Sequence, residues 1–512
     1  MNGNYIQKKS MGDYQTPYYF AKEVCNFIKS RQQFCPDIII EPNCGHGNFL
    51  LAAQECFNNS KLFGFDINEN YICSAQKKLS HTDAVFRCND LLHNNLKQYI
   101  PFHEEKQILI IGNPPWVNNA TLSLLESNNL PKKTNFKQFK GINSKMGDSN
   151  FDICESMILS LIDDFQSSNT LLALLCKTSV ARNVFQEIHK NNTRCSYVKI
   201  FEIQAKKIFG VSVNACLFLI SLTTKNHRVN KCKVFCFEYP ENMLYEFGFI
   251  NDKYYADIHS RYLDIDGNSC FEWRQGIKHD CSQVMELSKE NSLYKNKQNI
   301  LLDIEDTLVY PLIKGSSIKY PIITNTNKYI IITQKKPKEN TIHIQKNTPK
   351  TWEYLNKNLD IFRLRKSIIY ENTPPFSIFG IGEYAFKKYK VGISGFSKSP
   401  LFCLSYLDKP VMFDDTCYFL SFDNFNMAYT TMLLLNSITV KSFLLSICFL
   451  DSKRPYTKKI LQRIDFQKAV SIISYEELLA TEKTLNLPHL ITTSMHNEFG
   501  NYLSNTLQKT LF

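Results

Sequence analysis

A short apolar run that leads into a glycine turn and a helical stretch constrains the fold of this 512-residue chain more than any other feature. Residues 38–40 are three isoleucines and are predicted to form a buried strand. Residues 41–48 read Glu-Pro-Asn-Cys-Gly-His-Gly-Asn, and a helix is predicted to begin near Phe49. A strand, a glycine turn and a helix form the first unit of an open α/β sheet, in which ligands bind outside the carboxyl ends of the strands.

The residues around this turn indicate which ligand it suits. Leu50 stands where the fingerprint of nicotinamide enzymes has its third glycine, and no Gly-Lys-Ser/Thr follows as in a phosphate-binding loop. Two further predicted strands lead to acids, residues 61–65 to Asp66 and residues 85–89 to Asp90. Asp66 can accept both ribose hydroxyls of an adenosine, and Asp90 can accept from the adenine amino group. Each acid alone is equally well explained as a strand-end or capping residue, but acids at three successive strand ends favour an adenosine-containing cofactor.

A second motif, Asn113-Pro114-Pro115-Trp116, follows the apolar run 108–111, which is predicted to be a strand. The Asn113 side-chain carbonyl and the Pro114 backbone carbonyl can accept from the two N–H bonds of an exocyclic amine and so weaken its conjugation with a base. Stacking on Trp116 is worth roughly 1–3 kcal/mol, which offsets much of the cost of swinging a nucleotide out of a duplex. The motif therefore predicts transfer to the amino group of a flipped base. The alternative is a proline-rich turn with Trp116 in the core.

Together these motifs resemble the gamma-class adenine-N6 DNA methyltransferases, the modification methylases of type II restriction-modification systems. The resemblance implies an α/β fold with a doubly wound mixed sheet, the S-adenosylmethionine-dependent methyltransferase fold, followed by a C-terminal α+β target-recognition domain. It implies transfer of a methyl group from S-adenosyl-L-methionine to adenine N6 in double-stranded DNA, and functional pairing with a restriction endonuclease. The catalytic motif of this class more often ends in Tyr or Phe than in Trp.

The resemblance also assigns roles to residues. Residues 12–17 resemble the amino-terminal cofactor motif, and Thr16-Pro17 predicts a helix start with a capping hydroxyl and proline at the first helical position. Phe209 resembles the residue that stacks on the other face of the flipped base, and Met157 falls near the adenine pocket; for both, ordinary core packing is the alternative. The implied catalytic residues are Asn113, Pro114, Pro115, Trp116 and Phe209. The implied cofactor-binding residues are Tyr14, Thr16, Glu41, Asn43, Gly45, Gly47, Asp66, Asp90, Asn113 and Met157.

The second half of the chain has a different pattern, because the strand-helix alternation fades after about residue 222. We predict that residues 1–225 form the cofactor-binding and catalytic domain and that residues 226–512 form the target-recognition domain. The formal net charge of +12 fits a polyanionic partner.

Three later segments, 273–280, 310–317 and 452–459, combine basic residues with turns. Such clusters can contact phosphates, while a few side chains read base edges; a solvated surface is the alternative for each. The predicted DNA-binding residues are Arg274, Lys278, His279, Lys314, Lys453, Arg454, Lys458 and Lys459.

Composition restricts the cellular setting. Seventeen cysteines, an odd count without paired zinc-type spacing, indicate a reduced cytoplasmic protein with no metal site. The amino terminus has no signal-peptide pattern. The apolar stretch 427–450 is interrupted by Asn436 and Lys441, so it predicts buried helices and no membrane span. We expect a monomer.

Several rival functions stay open. Cytosine-N4 methylation uses the same chemistry, although its motif usually begins with Ser. A protein-glutamine or RNA methylase can carry Asn-Pro-Pro but does not need a long basic recognition domain. A catalytically inactive DNA-binding subunit, or a fusion with a nuclease, is a further alternative, although no convincing nuclease motif is present. Cytosine-C5 methylation is excluded, because no Pro-Cys dipeptide occurs.

Overall fold

The computed structural model describes residues 14–91, 94–101, 105–117 and 152–510. The chain divides into two compact units, Met1–Tyr254 and Tyr255–Phe512, called unit 1 and unit 2 below. Gly12 and Asp13 of the predicted amino-terminal motif lie outside the described residues.

Unit 1 is an α/β unit built on one sheet. Its strands are β1 Ile38–Glu41, β2 Lys61–Asp66, β3 Val85–Cys88, β4 Ile108–Gly112, β5 Thr170–Lys177, β6 Cys195–Ile203, β7 Ala215–Leu222, β8 Lys231–Cys236, β9 Met243–Ile250 and β10 Lys253–Tyr255. Its described helices are α1 Tyr18–Arg31, α2 Asn48–Cys56, α3 Glu69–Lys78, α4 Ile153–Phe165, α5 Thr178–Lys190 and α6 Ala205–Phe209.

The strand order is β10-β9-β8-β6-β7-β5-β4-β1-β2-β3. Strands β1 to β5 run parallel to one another, whereas β7 runs antiparallel to β5 and β6. β1 and β4 are buried along their whole length, which explains their uninterrupted isoleucine and leucine runs. The chain winds outward from β1 in one direction and from β4 in the other, and right-handed crossovers then place helices on both faces. The order reverses between β1 and β4, so their carboxyl ends form the ligand crevice of such a sheet.

The predicted domain boundary after residue 225 was wrong, because the first unit extends to Tyr254. Strand β8 pairs with β6, and β9 pairs with β8, so these strands continue the first sheet. The error has a physical cause: Lys231 and Lys233 are exposed and alternate with buried Cys232, and this short lysine-rich alternation resembles a polar recognition domain more than the edge of an α/β sheet.

Unit 2 is an α+β unit with two sheets. Its strands are β11 Arg274–Gln275, β12 Glu286–Glu290, β13 Leu293–Asn296, β14 Leu301–Leu302, β15 Val309–Ile313, β16 Ile322–Ile323, β17 Lys328–Ile331, β18 Tyr389–Ser394, β19 Phe402–Ser405, β20 Met412–Phe413 and β21 Cys417–Phe422. Five strands form the sheet β11-β21-β18-β19-β16, and six form the sheet β14-β13-β12-β17-β15-β20. Its helices are α7 Ser282–Met285, α8 His343–Asn347, α9 Pro349–Lys357, α10 Leu359–Arg363, α11 Phe425–Asn436, α12 Ile438–Ile447, α13 Lys458–Leu461, α14 Phe466–Ile472, α15 Tyr475–Thr484 and α16 Thr493–Thr510.

Helices α11 and α12 account for the most apolar late stretch of the sequence. Most of their side chains are buried in unit 2, as predicted for residues 427–450. Within the described ranges no single helix is long and apolar enough to cross a membrane; α11 and α12 meet that criterion only as a pair, and they are bent by 59° relative to each other.

Candidate active site and DNA-binding cleft

The glycine turn between β1 and α2 forms a backbone cradle at the carboxyl edge of the sheet. Gly45 and Gly47 adopt left-handed conformations, with φ of 48° and 75°, which side chains with a Cβ rarely take. A Cβ on Gly45 would also lie 2.4 Å from Gln15 Oε1. The left-handed conformation therefore favours glycine at residue 45, and a side chain there would also displace the end of Gln15.

Asp66 closes this turn with a nearly buried carboxylate. Its Oδ2 atom accepts from the Gly45 N–H at 2.9 Å, and its Oδ1 atom accepts from the Asn68 N–H at 2.9 Å. The two amides hold the Asp66 carboxylate in place at the turn. Asp66 ends β2 as predicted, and its role toward ribose hydroxyls stays a prediction.

Glu41 ends β1 and is only 3% exposed. Burial raises the pKa of its carboxyl well above the usual range, and the charge of Asp66 raises it further, while the Leu50 N–H and the Lys78 ammonium group act in the opposite direction. Lys78 Nζ donates to Asn48 Oδ1 at 2.6 Å. Sequence analysis missed this cation, because Lys78 lies at the end of α3 and nothing in its local pattern places it beside the turn.

Thr16 does not cap α1, so that prediction was wrong. The helix begins at Tyr18, and Pro17, at the N-cap with ψ of 140°, has no capping side chain. The Thr16 carbonyl instead accepts from Asn48 Nδ2 at 2.8 Å, which holds residue 16 against the glycine turn. The Thr16 hydroxyl is buried, and no described residue is its hydrogen-bond partner.

Asn113 follows β4 at the same edge of the sheet. Its Nδ2 atom donates to the Tyr14 carbonyl at 2.7 Å. Its Oδ1 atom is buried and has no hydrogen-bond partner among the residues that the structure describes. One end of the amide is thus anchored, while the other leaves an unused acceptor at the carboxyl end of β4. A buried acceptor without a partner is destabilising by about 1–3 kcal/mol, and this feature is typical of a group that awaits a ligand.

Trp116 is nearly buried and fixed from two sides. Its Nε1 atom donates to the Leu175 carbonyl at 3.3 Å, and the carbonyl of the following residue, Val117, accepts from the Ile153 N–H at 2.9 Å. The motif is therefore held against β5 and the start of α4.

An ion pair supports the start of α4. Asp152 is the N-cap of this helix and accepts from the Cys154 N–H at 3.2 Å. Lys177, at the end of β5, donates to Asp152 Oδ2 at 2.6 Å. Because Ile153 holds the Val117 carbonyl, Asp152 and Lys177 act on the motif as positioning residues. Sequence analysis missed both, because their contact joins positions far apart in the chain.

The aromatic residues predicted for base stacking lie together. The Phe209 ring contacts the Trp116 ring edge to face, with centroids 5.2 Å apart at 72°, and the Tyr14 ring lies 5.8 Å from Trp116 at 49°. Phe209 is half-buried at the end of α6. The structure therefore brings these three rings together, although the contact between Trp116 and Phe209 leaves no slot between them.

The other predicted cofactor residues lie at the same edge or in the core. Asn43 Oδ1 in the glycine turn is buried without a described partner, and so is Asn89 Nδ2. β3 ends at Cys88. The predicted strand was therefore too long, because Asp90 lies two residues beyond its end. Met157 is 7% exposed in α4. Asn89 was missed, although its position next to Asp90 is a signal that could have identified it.

Unit 1 therefore presents buried polar atoms that have no hydrogen-bond partner among the residues the structure describes. Thr16 Oγ1, Asn43 Oδ1 and Asn113 Oδ1 are such acceptors, beside the glycine cradle and the Asp66 carboxylate. These groups fit an adenosine cofactor with a charged amino-acid end. Among the described residues, no group of three or more His, Cys, Asp or Glu side chains is arranged to hold a metal ion.

In unit 2 the structure brings the three predicted basic segments to one place. Two adjoining clefts of about 410 and 460 Å³ share Lys314, Asp414 and Thr416 in their walls, volumes typical of ligand sites. Segment 273–280 contributes His279 and Asp280 to the first cleft. Arg454 of segment 452–459 donates to the backbone carbonyl of Asp415, which also lines this cleft.

The interior of the first cleft is an ion cluster around Glu286. Lys314 Nζ donates to both carboxylate oxygens, at 2.8 and 2.9 Å, and Lys297 Nζ lies 2.9 Å from Oε2. His279 Nε2 lies 3.3 Å from Oε1, and His279 Nδ1 accepts from the Cys281 N–H at 3.1 Å. Although burial opposes it, the hydrogen bonds from His279, Lys314 and Lys297 hold the pKa of Glu286 well below its usual range. His279 and Lys314 are therefore engaged within the fold.

The remaining predicted DNA contacts differ in how firmly they are held. Arg274 packs over the Tyr384 ring at 4.5 Å and pairs with Glu272, which also lies 3.5 Å from Lys458. Arg454 packs over the Phe396 ring at 4.6 Å.

The other three predicted lysines make weaker contacts. Lys278 lies 3.5 Å from Asp280. Lys453 and Lys459 are exposed, and neither forms an ion pair with a described residue. Sequence analysis treated the eight basic residues alike because their partners are distant in sequence.

Comparisons with known proteins agree with this geometry. A family model described as N-6 DNA Methylase matches residues 3–249. The chain is 40% identical over 477 residues to the Type II methyltransferase M.NspV of a Nostoc species, covering 91% of this chain and 98% of that protein. It is 22% identical over 217 residues to the Type II methyltransferase M.CvrRI of Paramecium bursaria Chlorella virus XZ-6E, covering 40% and 48% of the two chains. A solved structure of the Type IIL restriction-modification enzyme MmeI in complex with DNA aligns with a TM-score of 0.51 and 12% identity, over 99% of this chain and 74% of that one, which shows a shared fold.

Proposed function

This chain belongs to the type II DNA methyltransferases of restriction-modification systems and depends on S-adenosylmethionine, and we propose that it methylates N6 of an adenine flipped out of double-stranded DNA. The observation that carries the proposal is the unused Oδ1 acceptor of Asn113, at the carboxyl end of β4.

The cofactor-binding residues follow from the edge of the sheet. Asp66 would accept from the ribose hydroxyls, Asp90 from the adenine amino group, and Gly45 and Gly47 would let the cofactor approach the backbone. Glu41 would lie near the methionine end, together with Thr16, Asn43 and Tyr14. When bound, S-adenosylmethionine supplies the electrophilic methyl group.

Asn113 then acts on the acceptor nitrogen. Its anchored amide aims Oδ1 at one N–H bond of the target amine, and the Pro114 carbonyl accepts from the other. Two acceptors favour a geometry in which the nitrogen lone pair is less delocalised into the ring. Since Asn113 is anchored before the base arrives, its side chain needs little reorganisation during methyl transfer. The proton that leaves the methylated nitrogen has the Asn113 and Pro114 oxygens as its first acceptors on the way to solvent.

Trp116 and Phe209 would hold the flipped base. The two rings now contact each other, so stacking a base between them requires Phe209 to move. Phe209 is the one placed to do so, because α6 is a five-residue helix ending at Gly210, which has space around its Cα, whereas Trp116 is fixed by its indole hydrogen bond.

Unit 2 would recognise the DNA sequence, with a monomeric enzyme protecting sites that a partner restriction endonuclease cleaves. Methylation-sensitive sequencing of DNA from cells that express the chain tests the proposal, since it identifies the modified base and the motif together. N6-methyladenine in a defined motif is expected. N4-methylcytosine would establish the nearest rival function instead, and absence of any modification together with failure to bind S-adenosylmethionine in calorimetry would indicate an inactive DNA-binding subunit.

A further inference from the structure

Asp415 stands at the tip of the turn between β20 and β21, in the wall of the first cleft of unit 2. Its backbone carbonyl accepts from Gln275 Nε2 at 2.7 Å and from Arg454 Nη1 at 3.1 Å. These donors come from two of the three basic segments. The backbone of Asp415 is therefore held in one position by side chains that are distant from it and from each other in sequence.

The Asp415 carboxylate is partly exposed and only weakly paired. It is 37% exposed, and its closest ion-pair partner within the described ranges is Arg454 Nη2 at 3.7 Å. The neighbouring Asp414 is buried and accepts from the Thr416 N–H at 3.2 Å. Glu286 is bound by two lysine ammonium groups and the His279 imidazole. A fourth carboxylate in this wall, Asp280, is also partly exposed and lies 3.5 Å from Lys278. Of the four, Asp415 is the one whose backbone is fixed by donors from two basic segments while its carboxylate stays partly exposed.

An exposed carboxylate among basic segments weakens phosphate binding through like-charge repulsion, so its presence on a DNA-binding surface requires another partner. A carboxylate can only accept hydrogen bonds. In the major groove guanine presents two acceptors and thymine an acceptor and a methyl group. Adenine presents a donor beside the N7 acceptor, which repels a carboxylate and suits an amide instead. Cytosine presents the N4 donor without a neighbouring acceptor.

We propose that Asp415 is a specificity-determining residue that accepts a hydrogen bond from the N4 amino group of a cytosine in the recognition site. This rests on the proposed function, in which unit 2 recognises DNA. Arg454 and Gln275 are positioning residues for Asp415, because they hold its backbone and not the base. The turn thus links phosphate-binding segments at the rim to a base-reading group at the tip.

The test is a binding selection from a random-sequence DNA duplex library with the full chain and S-adenosylhomocysteine, read by sequencing. The wild type is compared with Asp415→Asn, Asp415→Ala and the control Asp360→Asn, which changes an exposed acid paired only with Arg363 at 3.2 Å. We expect Asp415→Asn to change one motif position from cytosine toward adenine, since an amide can pair with N6 and N7 of adenine. The preference for cytosine should fall about tenfold or more, with the other positions unchanged. Asp415→Ala should accept any base there.

The outcomes are separable. If the wild type selects no motif, the recognition role of unit 2 fails, and this proposal fails with it. If the wild type selects a motif and Asp415→Asn selects the same one, or if all positions weaken together, only the assignment of Asp415 is overturned. Thermal unfolding of each variant shows whether a loss at all positions reflects the fold of the turn.

Discussion

One buried polar group in unit 1 and one in unit 2 are held in opposite ways. In unit 1 the Asn113 Oδ1 atom is buried and has no partner among the described residues, although its own Nδ2 atom is anchored at 2.7 Å. In unit 2 the Glu286 carboxylate is bound by the ammonium groups of Lys297 and Lys314 and by the His279 imidazole. The unpaired Asn113 oxygen lowers the stability of unit 1 but is available to a ligand. The paired Glu286 carboxylate stabilises unit 2. Burial alone therefore does not distinguish a polar group that awaits a ligand from one that stabilises the fold.

Replacement of Asn113 tests the unit 1 side of this comparison and should have the largest effect. Asn113→Ala should lower the single-turnover rate of methyl transfer at least about 10²–10³-fold, the loss typical of removing one preorganised polar partner. Binding of S-adenosylmethionine by calorimetry should stay within a few fold. The free energy of unfolding should fall by no more than about 1 kcal/mol, the contribution of the hydrogen bond to Tyr14 that is lost. Wild-type turnover would remove the assignment of the motif, and Asn70→Ala, at an exposed position of α3, is the control.

Replacement of Glu286 tests the unit 2 side. Glu286→Gln should lower the free energy of unfolding by about 3–5 kcal/mol, since Lys297 and Lys314 lose their charge partner near the protein interior. Glu290→Gln, on the same strand but exposed and paired with Lys295 at 3.2 Å, should cost no more than about 1 kcal/mol. If both variants lost the same free energy of unfolding, the stabilising role of Glu286 would be contradicted.

The effect of Glu286 should depend on pH in a defined direction. Its pKa is lowered by folding, so its contribution is fully present above the ordinary value of 4.5 and is lost as pH falls toward the lower folded value. Melting temperatures measured between neutral pH and pH 3 should therefore show the wild type converging on Glu286→Gln below about pH 4.5. If the difference in melting temperature between wild type and Glu286→Gln grew as pH fell, the lowered pKa of Glu286 would be contradicted.

Asp66 combines two roles: it accepts hydrogen bonds within unit 1, and we propose that it also binds the cofactor. Asp66→Ala should weaken cofactor binding by about 1.5–3 kcal/mol for each charge-assisted hydrogen bond lost, while DNA affinity stays nearly unchanged. S-adenosylhomocysteine and its 2′,3′-dideoxy analogue separate the two roles. The wild type should discriminate between them and Asp66→Ala should not; equal discrimination would mean that Asp66 acts only through Gly45 and Asn68.

The smallest expected effect concerns the exposed lysines of unit 2. Lys453→Gln with Lys459→Gln should weaken binding to specific and random duplexes alike and should flatten the dependence of log K on log salt by about 0.9 for each phosphate contact. Lys336→Gln with Lys346→Gln is a matched control at exposed positions elsewhere in the unit. An unchanged slope would mean that Lys453 and Lys459 face solvent.

The sequence predicted the strands of unit 1 well and the contacts of unit 2 poorly, for physical reasons. β1, β4 and β5 are buried, so their apolar runs are local signals. The partners of Glu286 and Asp415 come from distant segments, and no local pattern encodes them. The helix start at Thr16 was predicted wrongly because a contact with Asn48, also distant in sequence, overrides the local capping preference.

A double-mutant cycle between enzyme and substrate tests most directly whether the unused oxygen of Asn113 receives the target amine. The target adenine, once located by sequencing, is replaced in one duplex by purine, which lacks the amino group. The affinities of wild type and Asn113→Ala for both duplexes are then measured with S-adenosylhomocysteine present. The account predicts that the wild type loses affinity on this replacement and Asn113→Ala does not, with a coupling of about 1–3 kcal/mol. Equal losses for both proteins would contradict it.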